Sequence, residues 1–444
     1  MQVHLINLGC ARNQVDSEIM SGRLQQAGHA MTDDPEQAEV IVINTCCFIE
    51  DAANESIDTI LAAAKYKETG RCRRLIVAGC LPERYREAVQ EALPEADFFL
   101  GTGAYDRIVA TVDNAIPRSA KCLLPHPDAL APQTRDTPRS LSRGPMAYLK
   151  ITEGCDRHCT FCIIPRLRGR QKSRPLADII SEAQLLAAAG IKELVLVGQE
   201  TTRYGYDRKN DGHTLAHLLQ KLSAIDPDIW IRFMYGHPES LSAPILETVA
   251  SHPNLCSYFD IPIQHVNPEI LRRMGRPSDL SHIESLVKRI RTMMPEAALR
   301  TTVIVGFPGE TEAHFDQLRQ FVEAVPFDHL GVFTYSDAED LASHRLEGHV
   351  PAEIAQKRRD MLMERQQQVS TTLNQKYLGG VYDVLIEEAP EPGVFIGRTM
   401  YQAPEVDGLT YLHARTNEPP MTVGQFVRTR MIDTLEYDLV GEPE

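Results

Sequence analysis

The chain has 444 residues, ten cysteines and a formal net charge of −15. That length exceeds one ordinary core and predicts two or three domains. The acidic balance disfavours long-range attraction to nucleic acid or anionic lipid. No apolar run reaches membrane-spanning length, and the start MQVHLINLGC lacks a signal peptide's basic and apolar regions, so a cytoplasmic protein is expected.

Over the first ~110 residues, strand and helix patterns alternate. VHLINLGC is followed by an amphipathic stretch near Asp16–Ala27, EVIVINTCC by AANESIDTILAAAK, and RRLIVAGC by ERYREAVQEAL. This order predicts a small, doubly wound parallel sheet with helices on both faces. The proline-rich, aperiodic stretch 123–146 reads as a linker. From Ala147 to about Ser336 there are six strand-like runs: AYLKITEG, ELVLVGQE, WIRFMYGHP, LCSYFDIPIQH, LRTTVIVGFPGE and DHLGVFTYS. Helical patterns separate them, which predicts an open (β/α)6 barrel. A polar helix near Pro351–Lys376 precedes short strand runs separated by Gly and Pro turns, read as a small all-β barrel. The expected division is therefore 1–120, a linker over 121–146, 147–372 and 373–444.

In a long intracellular chain, ten cysteines suggest metal ligands or reactive thiols, not a disulfide framework. Cys155, Cys159 and Cys162 stand in TEGCDRHCTFCIIP after the first barrel strand. That is the end at which barrel enzymes place their chemistry. Three thiolates on a four-iron cubane leave one iron open. The alternative is a zinc knuckle completed by His158 or a distant cysteine; His158 itself reads as a solvent-facing loop residue. Cys10, Cys46 and Cys80 each close a predicted strand in the first domain (NLGC, INTC, VAGC). Carboxyl ends of neighbouring strands in such a sheet converge on one crevice, so the three are expected to meet as a second incomplete site. The alternative is that they are small buried apolar residues. Cys47 should point away from Cys46. Cys72, Cys122 and Cys256 read as free thiols.

These residues resemble a family. LGCARNQVDSE, NTCCFI and AGCL are similar to the N-terminal cluster domain of radical S-adenosylmethionine (SAM) methylthiotransferases. CDRHCTFCIIPRLRG resembles their radical SAM motif, and the last ~65 residues resemble their TRAM domain. YFDIPIQH, IVGFPGETEAHF, GRTMYQAPEVDGLTYL and EYDLVG resemble the branch acting on ribosomal protein S twelve. The resemblance implies a [4Fe–4S] cluster on Cys155, Cys159 and Cys162 that cleaves SAM to a 5′-deoxyadenosyl radical. It implies a second [4Fe–4S] cluster on Cys10, Cys46 and Cys80 that delivers sulfur. The implied product carries a methylthio group on the β-carbon of an aspartate. The implied electron donor is a flavodoxin or ferredoxin. Phe161 is expected near the adenine, Gln199 and Glu200 near the SAM amino group, and Gly306 where backbone approaches the adenosine. Two departures stand out. Cys47 occupies a position where the family often has Gly or Ala, and Gly198-Gln199-Glu200 stands where the superfamily has Gly-Gly-Glu.

Protein, tRNA adenosine and simple electron carriage remain open as targets of this machinery. From Lys376 to Glu444 five basic residues (Lys376, Arg398, Arg415, Arg428 and Arg430) face twelve acidic ones, a balance of −7. An RNA-gripping domain needs clustered cations, so direct tRNA binding is not expected. An acidic barrel suits a basic ribosomal protein.

Overall fold

A computed structural model describes residues 1–117, 120–209, 211–276, 278, 280–413 and 421–444. Arg415 and Glu418, counted in the charge balance above, lie outside the described residues. Chain order gives β1 (Gln2–Asn7), β2 (Ala30–Met31), β3 (Val40–Thr45), β4 (Arg74–Gly79), β5 (Phe98–Leu100) and β6 (Cys122–Leu123). These form one parallel sheet in the order β2-β1-β3-β4-β5-β6. The order turns back between β1 and β3, the switch point where such sheets open a crevice. The sheet is doubly wound as expected but has six strands, not the three visible in the sequence. β2, β5 and β6 have only two or three residues each, too few for a period. β6 falls within the stretch read as linker. The helix expected over ERYREAVQEAL is two, Cys80–Tyr85 and Ala88–Ala92. Arg86 breaks it by taking φ +53° while its guanidinium reaches Glu83 at 2.6 Å.

The second unit contains β7 (Met146–Lys150), β8 (Thr152–Glu153), β9 (Lys172–Ser173), β10 (Glu193–Val197), β11 (Trp230–Phe233), β12 (Tyr258–Asp260), β13 (Ala298–Val305) and β14 (His329–Thr334). β11-β10-β7 and β12-β13-β14 are parallel sheets. An isolated bridge between Ile231 and Leu255 joins them. The six barrel strands read from the sequence are all present, and the barrel is open. Alternation in β10 shows why its residues are apolar on both sides. Leu194 and Leu196 pack outward with helix residues such as Ile179, Leu186 and Leu218. Val195 and Val197 pack inward with Tyr148 and Tyr258. Ala11, Val15 and Ile19 of the first unit's helix Ala11–Gln26 enter the same inner cluster.

The helix Ala352–Asn374 leads to β15 (Val381–Glu391), β16 (Val394–Thr399), β17 (Thr410–His413), β18 (Phe426–Thr434) and β19 (Leu439–Pro443). They close as a barrel in the order β15-β16-β17-β19-β18. Its Arg398 reaches back to Glu193 at 2.6 Å, and Glu193 also holds Arg232 at 2.8 Å; all three side chains are fully buried. The stretch between β6 and β7 does not hang free. Arg139 bridges Glu18 and Glu182 at 2.6 Å each, and the Asp128 carboxylate accepts from the Arg170 amide at 2.8 Å. No described helix is long and apolar enough to cross a membrane.

Candidate active site

Cys10, Cys46 and Cys80 sit at the carboxyl ends of β1, β3 and β4, the three strands beside the switch point. Two of them follow glycines that the packing requires. Gly9 has φ +92°, and a Cβ there would stand 2.7 Å from the Cys46 Cβ. Gly79 has φ +100°, and a Cβ there would stand 2.5 Å from the Asn44 side-chain oxygen. Only glycine reaches these backbone angles freely. Asn13 ties the crevice together by donating to the Leu8 and Thr45 carbonyls at 2.9 and 3.0 Å.

Cys155, Cys159 and Cys162 occupy the loop after β8. Gly154, at φ +79°, turns the chain where a side chain would strike the Arg170 carbonyl. The Cys155 amide donates to the Gly169 carbonyl at 3.1 Å. The Thr160 amide donates to the Met274 carbonyl at 3.0 Å, and its hydroxyl to the Arg273 carbonyl at 2.8 Å. The loop is thus clamped from both sides. His158 is exposed and does not line the cavity described next.

All six cysteines line one cavity of about 670 Å³ between the first sheet's crevice and the barrel mouth. Phe161, Gln199 and Glu200 line it too. Phe161 meets Phe307 edge-on, ring centroids 6.5 Å apart. Glu200 is held by Arg157 through two hydrogen bonds of 2.8 and 2.9 Å, and by Ser240 at 2.8 Å. The Gln199 amide donates to Glu153 at 2.7 Å, leaving its buried carbonyl oxygen without a partner. The structure places Gly306 outside this lining. Its φ is +75°, its amide donates to Glu310 at 2.9 Å, and a Cβ there would stand 2.4 Å from that of Ala355. Cys47 is fully buried in the apolar core behind the cavity, as its position beside Cys46 suggested. Cys72, Cys122 and Cys256 are free thiols elsewhere.

Composition and spacing gave no sign of the arginines. Arg168 pairs with Asp16 at 2.6 Å, contacts Asn13, and lies 3.6 Å from the Cys80 sulfur. The Arg12 guanidinium lies over Tyr235, 4.5 Å from the ring centroid. Both lie inside quoted motifs, Arg12 in LGCARNQVDSE and Arg168 in CDRHCTFCIIPRLRG, and that adjacency to the cysteines was the available signal. Burial pushes the Cys10 thiol up, but Arg12 and Arg168 outweigh it and leave it below its ordinary pKa. Burial dominates at Cys80, pushed up to about 12 with Arg168 opposing, and at Cys155 and Cys162, pushed up to about 11 and about 12. Metal ligation by these thiols therefore has to release protons.

The donor set suits an extended inorganic core. Each trio offers soft sulfur ligands, the preference of iron–sulfur centres. Among the described residues, no three His, Cys, Asp or Glu side chains converge as they would around one metal ion. A cubane places each ligand on a different iron, so its ligands stand wider apart than those of a single ion.

Family models match in three blocks. Residues 2–101 match a family described as uncharacterized protein family UPF0004. Residues 149–322 match the radical SAM superfamily, and residues 378–443 the TRAM domain. The chain is similar to a radical S-adenosylmethionine methyltransferase, TsrM, from Kitasatospora setae, solved with tryptophan and a SAM analogue. The TM-score is 0.56 and the identity 15%, over 75% of this chain and 72% of that one, a likeness of fold. It is 50% identical to the ribosomal protein uS12 methylthiotransferase RimO of Desulfosudis oleivorans over the whole of both chains. It is 45% identical to the protein of the same name from Clostridioides difficile, over all of this chain and 98% of that one. Matching at this identity from end to end, the chain belongs to the ribosomal protein uS12 methylthiotransferase (RimO) family of radical SAM enzymes.

Proposed function

We propose that the chain places a methylthio group on the β-carbon of an aspartate in ribosomal protein uS12, in the cytoplasm, with a flavodoxin- or ferredoxin-type protein as electron donor. The observation that carries this reading is the shared cavity: two trios of cysteines, from two domains, open onto one space. Cys155, Cys159 and Cys162 would hold one [4Fe–4S] cluster with SAM at its open iron, and Cys10, Cys46 and Cys80 a second. When bound, these groups supply the electron that cleaves SAM, the radical that attacks an unactivated C–H bond, and the sulfur.

The chain's own residues bind, orient and exclude water. The Gln199 carbonyl oxygen, buried and without a partner, would accept from the SAM amino group. Glu200 acts through Arg157, whose guanidinium it fixes beside Cys155. Phe161, Phe48 and Ile49 present apolar surface to the cavity, which would help to exclude water once substrate is seated. His237 is kept neutral there, pushed down to about 2 by burial and by Arg276 and Arg157.

The C-terminal barrel favours a protein over an RNA substrate. Every basic residue described in it is already paired: Lys376 with Asp328, Arg398 with Glu193 and Glu387, Arg428 and Arg430 with Glu444. Arg428 and Arg430 share one carboxylate at the exposed edge, which leaves too few free cations to grip an RNA backbone.

The test is to incubate reconstituted enzyme, SAM, sulfide and reductant separately with uS12 and with tRNA. Mass spectrometry should find methylthio in place of hydrogen on uS12 only; a gain on tRNA alone overturns the substrate. Cys159→Ala should form no 5′-deoxyadenosine. Cys46→Ala should form it without methylthiolated product. Each variant should hold about four irons against about eight in the parent.

A further inference from the structure

Two of the four arginines lining the cavity are neutralised by carboxylates. Arg157 is neutralised by Glu200 and Glu239 at 2.8 Å, and Arg168 by Asp16 at 2.6 Å. Arg276 stands on the far wall by Cys159 and donates to the Pro262 carbonyl at 2.9 Å. Arg12 is different. Its guanidinium donates to the Gly198 carbonyl at 2.8 Å, lies over Tyr235 and meets the Cys10 thiol. Among the described residues it has no carboxylate partner, so four of its five N–H donors are not taken up by a carbonyl or an acid.

Its position is as telling as its vacancy. Cys10 belongs to one trio, and Gly198 begins the segment that leads from β10 to Gln199 and Glu200 in the other half. Arg12 also acts electrostatically on Cys162. It therefore stands between the two sulfur sites. The ring that supports it belongs to Tyr235, a non-glycine residue at φ +61° whose amide is fixed by Asp260 at 2.9 Å. Such a conformation persists only where the surroundings impose it.

We propose that Arg12 recognises the carboxylate of the target side chain, so that the cavity selects an acidic residue and rejects its amide. The inference rests on the substrate reading above. A fork of donors pairs with a carboxylate bidentately and fixes its plane. In an aspartate the β-carbon is one bond from that carboxylate, so Arg12 would hold the reacting carbon between the two trios.

The experiment uses the reconstituted full chain and fluorescent uS12 peptides carrying either Asp or Asn at the target position. Anisotropy reads the ratio of their affinities, and equilibrium dialysis reads SAM binding. Wild type should prefer Asp by about tenfold or more, as a charge-assisted bidentate pair gives. Arg12→Gln should bring the ratio close to one with SAM binding unchanged, and Arg12→Lys should keep part of the preference. Three outcomes overturn the proposal: Arg12→Gln keeps the wild-type ratio, it weakens both peptides equally, or it loses SAM binding with the ratio intact. Wild type that binds neither peptide but modifies tRNA removes the substrate reading, and this one with it. Wild type that modifies uS12 while the ratio ignores Arg12 removes only this one.

Discussion

Asp16→Asn should unlock the junction between the first sheet and the barrel. Asp16 lies on the helix Ala11–Gln26 and accepts from Lys150 at 2.5 Å and Arg168 at 2.6 Å, both on the barrel side. Glu153 completes the group, 2.7 Å from Lys150 and 3.6 Å from Arg168. Two cations thus face two carboxylates, and the Asp16, Lys150 and Arg168 side chains are 3–5% exposed. Asparagine leaves two cations to one carboxylate and turns amide protons or a neutral oxygen toward them. Breaking a buried pair in this way costs about 3–5 kcal/mol. At roughly 2–4 °C per kcal/mol for a domain of this size, the first thermal transition should fall by about 10 °C. Circular dichroism melts of anaerobically purified protein read this directly. Asp33→Asn is the matched control: its partner Arg143 is 3.7 Å away and both side chains are almost wholly exposed, so its melt should not move. If Asp16→Asn melts with Asp33→Asn, the buried network does not hold the junction.

Glu153 gives the same junction a pH signature. Burial pushes its pKa up, but Lys150 and Arg168 outweigh that and hold it down to about 2, against 4.5 ordinarily. Its contribution is therefore complete above about pH 4.5 and lost as pH falls through about 2. Urea midpoints measured across that window should fall less steeply in Glu153→Gln than in wild type. Gly79→Ala places a Cβ 2.5 Å from the Asn44 oxygen at φ +100°. It should cost the protein about four of about eight irons and the methylthiolated product, while 5′-deoxyadenosine formation continues. Glu193→Gln leaves buried Arg232 without its carboxylate and Arg398 with Glu387 alone, at a cost of about 3–5 kcal/mol. The C-terminal barrel should then become the most protease-sensitive part of the chain, and an unchanged digestion pattern would mean that apolar packing alone holds it.

What could be read in the sequence was what depends on local pattern. Strand ends are visible as apolar runs closed by Gly-Cys or Thr-Cys, so the sequence alone puts Cys10, Cys46 and Cys80 at neighbouring strand termini. The two-sided apolar runs of the barrel follow from one face meeting helices and the other an interior. Strands as short as Ala30–Met31 and Cys122–Leu123 carry no period, and they form because β1 and β5 present unpaired edges to them. The arginines were hidden for a different reason. Arg168 and Asp16 are 152 residues apart, and nothing in either segment names its partner. Gly306 was legible as a glycine with a steric reason, but the crowding comes from Ala355 on the helix Ala352–Asn374.

The facing of the two trios follows from one helix. An open six-strand barrel leaves its interior incompletely walled, and the apolar side of Ala11–Gln26 fills it. Ala11, Val15 and Ile19 pack with Tyr148, Val195 and Val197. Seating that helix fixes its N-terminus at the barrel mouth, and Cys10 is the N-cap residue. Arg12, one turn from Val15, enters the cavity for the same reason, and Asp16 on the next turn reaches Lys150. The distance between the sulfur sites is therefore set by apolar packing of Val15 and charge pairing of Asp16, neither of which touches a sulfur site. On the proposed reading, a radical made at one trio and sulfur held at the other would meet only on a substrate between them. Precision in this helix's seating would then matter to that chemistry as much as the ligands do.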